Sequence, residues 1–363
     1  MVVLTLVGCG DSGQLAGPGG SSHRGEEVSF CLDSGFSILQ SGVRKDGIPA
    51  LTDPRFVPPG DPDAGAKQQG DRVIGVVVNG QALALPLSIM RWHEVVNLRR
   101  GTERIAVTYC PLTGTALGFD RAALGGRELG VSGLLVENNL LMYDRSTDES
   151  LWGQMLGSAL CGTAQGNVLP SYPVLETTLE GWRGLHPETE ILSTATGYDR
   201  DYDTNPYQDY DRLDAPPLHI TELSSDGRLQ PKARVLGIPS PEGLGVALPL
   251  SVLGEMGQAV TLIVDGRSTV VLWDPASEAA AVYDPRPVWA DGFDGPADTP
   301  LTFQVGEDGI TDLQTGSVWT VDGVARGGPA TGSRLRHLSG SVVAYWFAWA
   351  AFNQGTGIVT TLP

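Results

Sequence analysis

At 363 residues the chain has room for two domains, or for one domain built twice, and 41% hydrophobic residues supply a core. Its net charge of -18, with Lys45, Lys67 and Lys232 as the only lysines, repels phosphate backbones and excludes nucleic acid as an expected partner. The 48 glycines and 25 prolines are spread throughout, which favours short strands and turns over long helices.

The first element in chain order is a processing signal. Leu6-Val7-Gly8-Cys9 looks like a bacterial lipobox, in which small residues precede a cysteine that is lipidated after cleavage. No Lys or Arg precedes this apolar run, so residues 1–9 read as a truncated lipoprotein signal, with Cys9 the lipid-bearing residue. Residues 10–44 form a tether and lead-in, rich in Gly and Ser up to Glu27. No later stretch approaches the roughly 20 apolar residues of a membrane span, and Val342–Phe352 reads as a buried element. The expected location is the cell envelope, outside the cytoplasm, with lipid as the only contact with the membrane.

Asn79-Gly80, set between "VIGVVV" and "QALAL", predicts a two-residue hairpin. A short helix follows "PLS". Ser88 is its expected cap, and Ile89, Trp92, His93 and Val96 share one face. "RIAVTYC" then alternates, with Ile105, Val107 and Tyr109 on one side and Ala106, Thr108 and Cys110 on the other. Pro111 lacks an N–H and helps end this strand, so Cys110 stands at a strand terminus before a glycine-containing loop expected to expose its backbone. "YDRSTDES" reads as a turn between strands.

The chain then repeats itself. "RVIGVVVNGQALALPLSIM" (Arg72–Met90) returns as "RVLGIPSPEGLGVALPLSVL" (Arg234–Leu253), and "IAVTYCPLTGTALGFD" (Ile105–Asp120) as "TVVLWDPASEAAAVYD" (Thr269–Asp284). "YDRSTDESLW" is echoed by "TDLQTGSVW", and "GWRGLHPETEIL" by "AWAAFNQGTGIV". Four blocks in one order at a nearly constant offset define two tandem pseudo-repeats, residues 45–225 and 226–363. The fold class is therefore α+β, β-rich, with short strands, hairpins and a few short helices. The second copy has Met256 and Asp274 at the positions of His93 and Cys110, which assigns the candidate site to the first copy.

"KDGIPALTDPRF" (Lys45–Phe56), "WHEVVN", "TYCPLTGTALGFDR", "GVSGLLVENNLLMYDRSTDESLW", "TGYDRDYDTNPYQDY" and "YWFAWAAF" resemble, in order, the motifs of domain-of-unknown-function family 3179. The resemblance runs from Lys45 to the C-terminus. It implies an exported prokaryotic protein, often a lipoprotein, and supplies no established activity. The family commonly reads C-P-L-C where this chain has Thr113 in place of the second cysteine, so this loop alone makes neither a CxxC redox pair nor a two-thiolate metal clip.

Cys110 and His93 are the candidate catalytic residues, as a nucleophile and its base. The same pair supplies the soft and borderline ligands for copper, ahead of zinc, with Cys161 as a further metal ligand in place of the thiol missing at Thr113. The disulfide connectivity of Cys31, Cys110 and Cys161 stays open. Asp199, Asp201 and Asp203 imitate the opening of a calcium loop, but Thr204 and Tyr210 stand where Gly and a bidentate Glu are required. No nucleotide-binding fingerprint occurs, and the sequence names no protein partner. The expected function is soft-metal binding for transfer or redox chemistry in an extracytoplasmic lipoprotein. A thiol-dependent enzyme is the alternative, and a structural or partner-binding surface lipoprotein the second alternative.

Overall fold

A computed structural model describes residues 35–240, 244–296 and 298–361; Cys9, Cys31 and the lipobox lie outside them. Among the described residues strands dominate, and the four α-helices there have seven residues each: α1 (Leu87–His93), α2 (Leu179–Leu185), α3 (Leu250–Met256) and α4 (Trp346–Phe352). Among the described residues no helix is long and apolar enough to cross a membrane.

In the first half, one sheet orders Leu175–Thr178, Arg72–Val78, Gln81–Pro86, Glu190–Leu192 and Phe56–Val57. Its hairpin turns at Asn79 and Gly80, both at positive φ (48° and 77°), as the Asn-Gly pair predicts. A second sheet orders Ser171–Tyr172, Thr115–Asp120, Glu103–Cys110, Val95–Arg100 and Leu51–Thr52. A third contains Ile38–Gln40, Leu129–Val136, Asn139–Asp144, Leu151–Gly153 and Ser158–Cys161, and "YDRSTDES" spans one of its turns.

The second half also holds three sheets. Val342–Tyr345, Arg234–Ile238, Val246–Pro249 and Gly357–Ile358 form one sheet, and its last strand pairs parallel, as Glu190–Leu192 does with Gln81–Pro86. Ala259–Val264, Arg267–Asp274, Ala279–Val288 and Arg334–His337 form the second, and four short strands from Phe303 to Gly327 the third. Each half also sets a buried tryptophan over a strand glycine. A Cβ on Gly75 would overlap the Trp182 ring, and one on Gly237 the Trp349 ring. Trp182 Nε1 donates to Thr189 Oγ1 at 2.9 Å, and Trp349 Nε1 to Thr356 Oγ1 at 3.0 Å.

The halves are interlocked. One core joins Val73, Ala84 and Trp182 of the first half to Val270, Tyr283 and Trp319 of the second. The carboxylate of Glu176 accepts from Arg72 at 2.9 Å and from Arg234 at 2.7 Å, bridging the halves. Burial opposes ionisation of Glu176, yet the two guanidiniums hold it below the usual carboxylate range.

Two local expectations give way. Ser88 does not cap α1: Pro86 occupies the cap position without a side-chain bond, and Ser88 Oγ donates to Gly65 O. Val96 lies in the next strand, because the helix stops at His93.

Candidate functional site around Cys110

Cys110 ends the strand Glu103–Cys110, and the predicted alternation places Ile105, Val107 and Tyr109 in one core and Ala106 and Cys110 in another. The turn beyond it is buried, contrary to the expected exposed loop: Cys110 is 1% exposed, Leu112 8% and Thr113 0%. Gly114 turns the chain at φ +64, pressed against the Tyr345 ring of the second half, and Tyr345 N donates to Thr113 O at 2.8 Å. Behind the turn, Thr113 and Thr115 join Asn139 and Gln154 in a buried polar network that fixes its geometry. The thiol sits 3.8 Å from Asn138 O. Burial pushes it up to about 11, and the charge of Glu94 adds to the shift.

Two further ionisable groups stand near this turn. Glu94 caps α1 in a left-handed conformation (φ 57), a strained backbone for a non-glycine residue. Its N–H donates to Met90 O and its carbonyl accepts from Tyr109 N, each at 2.8 Å, which ties the helix end to the Cys110 strand. Burial raises its carboxyl to about 7, although Tyr207 donates its hydroxyl to Glu94 Oε1 at 2.8 Å and works the other way. Lys232, 2% exposed, brings an amine that has no hydrogen-bond partner among the described residues. Its Nζ lies 3.0 Å from the centroid of the Tyr210 ring, 4.9 Å from Tyr345 and 5.0 Å from Phe347. Burial lowers it to about 7, against the attraction of Cys110 and Asp211.

The segment that leads into the second half, residues 193–225, lies over this site. Tyr207 bonds Glu94, and Tyr210 donates its hydroxyl to Leu112 O at 3.1 Å. The β-turn at Glu137 and Asn138, both at positive φ, holds the segment further on. Asn138 exchanges two bonds with the His219 backbone, at 2.7 and 2.8 Å, and Glu137 accepts from Thr221 Oγ1.

His93 serves that same segment. Its Nδ1 donates to Pro49 O and its Nε2 accepts from Tyr202 Oη, each at 2.7 Å, so both ring nitrogens are engaged and neither bonds Cys110. Burial lowers its pKa, which fits a neutral ring in this bonding pattern. Cys161 ends the strand Ser158–Cys161 in a separate core with Val136 and Leu141, and it is disulfide-bonded. The structure therefore does not gather His93, Cys110 and Cys161 around one point. Among the described residues no group of three or more His, Cys, Asp and Glu is placed to hold a metal ion.

Glu94 and Lys232 escaped the sequence reading as site residues, whereas Tyr207 and Tyr210 lie in "TGYDRDYDTNPYQDY", one of the motifs that carry the family resemblance. One signal was available: Lys232 is one of three lysines in an acidic chain, and it lies two residues before the repeated Arg234. A cavity of about 340 Å³ opens elsewhere, between the halves, with Trp182, His186, Tyr283, Asp322 and Arg334 in its walls. It contains none of the residues expected from sequence.

Residues 45–356 match the family of proteins of unknown function designated DUF3179, and the chain belongs to that family. The motifs quoted from the sequence thus acquire places in the fold: the cysteine turn, the hairpin that clamps the crossing segment, and the tyrosine-rich segment itself. Comparison with curated proteins and with solved structures finds no match.

Proposed function

We propose that this is an exported, lipid-anchored protein whose first half carries a thiol-dependent catalytic site. Cys110 is its nucleophile, Glu94 and Lys232 handle the thiol proton, and His93 positions the covering segment. One observation carries the reading: a buried amine without a hydrogen-bond partner among the described residues and a buried carboxyl on a strained backbone both lie within electrostatic reach of a free buried thiol. Ionisable groups displaced toward neutrality beside a potential nucleophile are what general acid–base chemistry requires. The duplication suggested by sequence fits this division of labour, the second half supplying Lys232 and the walls formed by Tyr345 and Phe347. Export is supported by the lipobox and by the disulfide at Cys161, since disulfides persist in oxidising compartments.

The soft-metal reading ranks second, because His93 and Cys161 are engaged elsewhere and Cys110 is left as a single soft donor. Two measurements on untagged protein from membranes test the proposal: metal content, and maleimide labelling of the folded protein with peptide mapping. Selective labelling of Cys110, slowed in E94Q and K232M, with C9S releasing the protein from the membrane, is the expected result. Stoichiometric copper that disappears in C110S would replace the enzyme reading with the metal one. A native protein whose Cys110 never labels would remove it.

A further inference from the structure

Resting on the thiol-site reading, we infer that Lys232 receives a carboxylate, so that the substrate of this site is a small molecule bearing that group beside the atom Cys110 attacks. An ammonium carries three donors and no acceptor, and a buried donor left unpaired is costly. This chain has 42 acidic residues against 24 basic ones, yet no ion pair with Lys232 occurs among the described residues. Asp211 acts on it only at a distance.

What covers the amine is the Tyr210 ring, 3.0 Å away. That ring stands where an anionic acceptor would sit, and it belongs to the segment that also places Tyr207 on Glu94. Lifting this one segment uncovers amine, carboxyl and thiol together. A carboxylate entering the space would exchange the ring's cation–π contact for a charge-assisted hydrogen bond, the stronger of the two in a site shielded from water. The rival account makes Lys232 a structural stitch among Tyr210, Tyr345 and Phe347. It requires no ligand and predicts no discrimination between anionic and neutral molecules.

Iodoacetate and iodoacetamide separate these accounts, since they share a leaving group and differ in one charge. In each case the sulfur of Cys110 forms a bond to the methylene carbon, the C–I bond breaks, iodide departs, and the thiol proton passes to the amine or to solvent. Rates at Cys110 are read by peptide mass spectrometry on the folded full-length chain, with free cysteine as the reference. We expect the iodoacetate-to-iodoacetamide ratio to exceed the reference about tenfold, the size of one charge-assisted hydrogen bond. K232M should return the ratio to the reference, K232R should keep it high, and Y210L should raise both rates while preserving it. The ratio is insensitive to any general change in thiol reactivity, so it reports recognition of the carboxylate alone. A wild-type ratio equal to the reference overturns the inference and leaves the thiol site standing. No alkylation by either reagent overturns the thiol site, and the inference with it.

Discussion

Two turns occupy corresponding places in the halves and differ in almost every side chain that could do chemistry. Cys110 ends one strand and Asp274 ends its counterpart. The last helical residue is His93 in α1 and Met256 in α3; the residue after it is Glu94 in one case and Gly257 in the other. Two residues before Arg72 stands Gly70, whereas two before Arg234 stands Lys232. Asp274 folds onto its own turn, accepting from Ser277 Oγ and from Ala276 N, and Ser277 O accepts from Arg72. The second turn is thus closed by self-satisfaction. The first holds an amine with no hydrogen-bond partner among the described residues, a carboxyl raised toward neutrality and a free thiol. The difference separates what the fold requires, which both halves keep, from what one half adds.

The shared part of that comparison can be broken first, and the effect should be the largest. Trp182 and Trp349 fill the same role over Gly75 and Gly237, each with one indole bond to a threonine. Trp182→Ala and Trp349→Ala should each cost about 3–5 kcal/mol in denaturant unfolding, the range for deleting a buried aromatic. Costs that differ by more than about 2 kcal/mol would show that the two sheets are not energetic equivalents.

The added part should show in pH dependence, with opposite slopes for its two ionisable groups. The folded pKa of Glu94, about 7, lies above its ordinary 4.5, so ionising it costs the native state stability. That cost is absent below 4.5, grows as pH rises, and is complete above about 7. E94Q should therefore gain on wild type across this window, by about 2–3 kcal/mol at its upper end. The folded pKa of Lys232, about 7, lies below its ordinary 10.5, so its cost is absent above 10.5 and grows as pH falls toward 7. K232M should gain in that direction, reduced by the loss of its contacts with Tyr210 and its neighbours. Urea unfolding of wild type and both variants between pH 4 and 10 measures the two ramps. Variants less stable than wild type throughout would make these residues structural.

Much of this contrast was legible in the sequence, and the reason is periodicity. Alternation in "RIAVTYC" fixed which side of the strand carries Cys110, and Asn79-Gly80 placed the hairpin. Partner choice was not legible, because it depends on which faces meet. His93 faces inward as its helical position implies, but the carbonyl of Pro49 and the hydroxyl of Tyr202, brought from opposite directions along the chain, reached it instead of Cys110. Glu94 carried no signal of burial in the sequence. It became buried because its backbone bonds Tyr109 and a segment more than a hundred residues later lies over it. Lys232 carried no signal beyond its rarity and its place before Arg234, and only the packing of the second half against the Cys110 turn made it a site residue.

The smallest expected effect sharpens the comparison most. Asp274→Cys places a thiol at the corresponding strand end, where Gly257 and Gly70 supply neither carboxyl nor amine. The substitution removes the side-chain acceptor for Ser277 Oγ and Ala276 N on a partly exposed turn. Its stability cost should therefore be about 1 kcal/mol, the net worth of such bonds. With no buried cation or carboxyl beside it, the new thiol should titrate near the unperturbed value of about 8.5. It should label with maleimide as an ordinary partly exposed cysteine does, and alkylate with iodoacetate and iodoacetamide in the ratio of free cysteine. In the same molecule Cys110 serves as the internal reference, the two sites being resolved by peptide mass. A thiol at residue 274 that matched Cys110 in both respects would mean that the scaffold alone confers the reactivity. Glu94 and Lys232 would then have no part in it, however closely they approach.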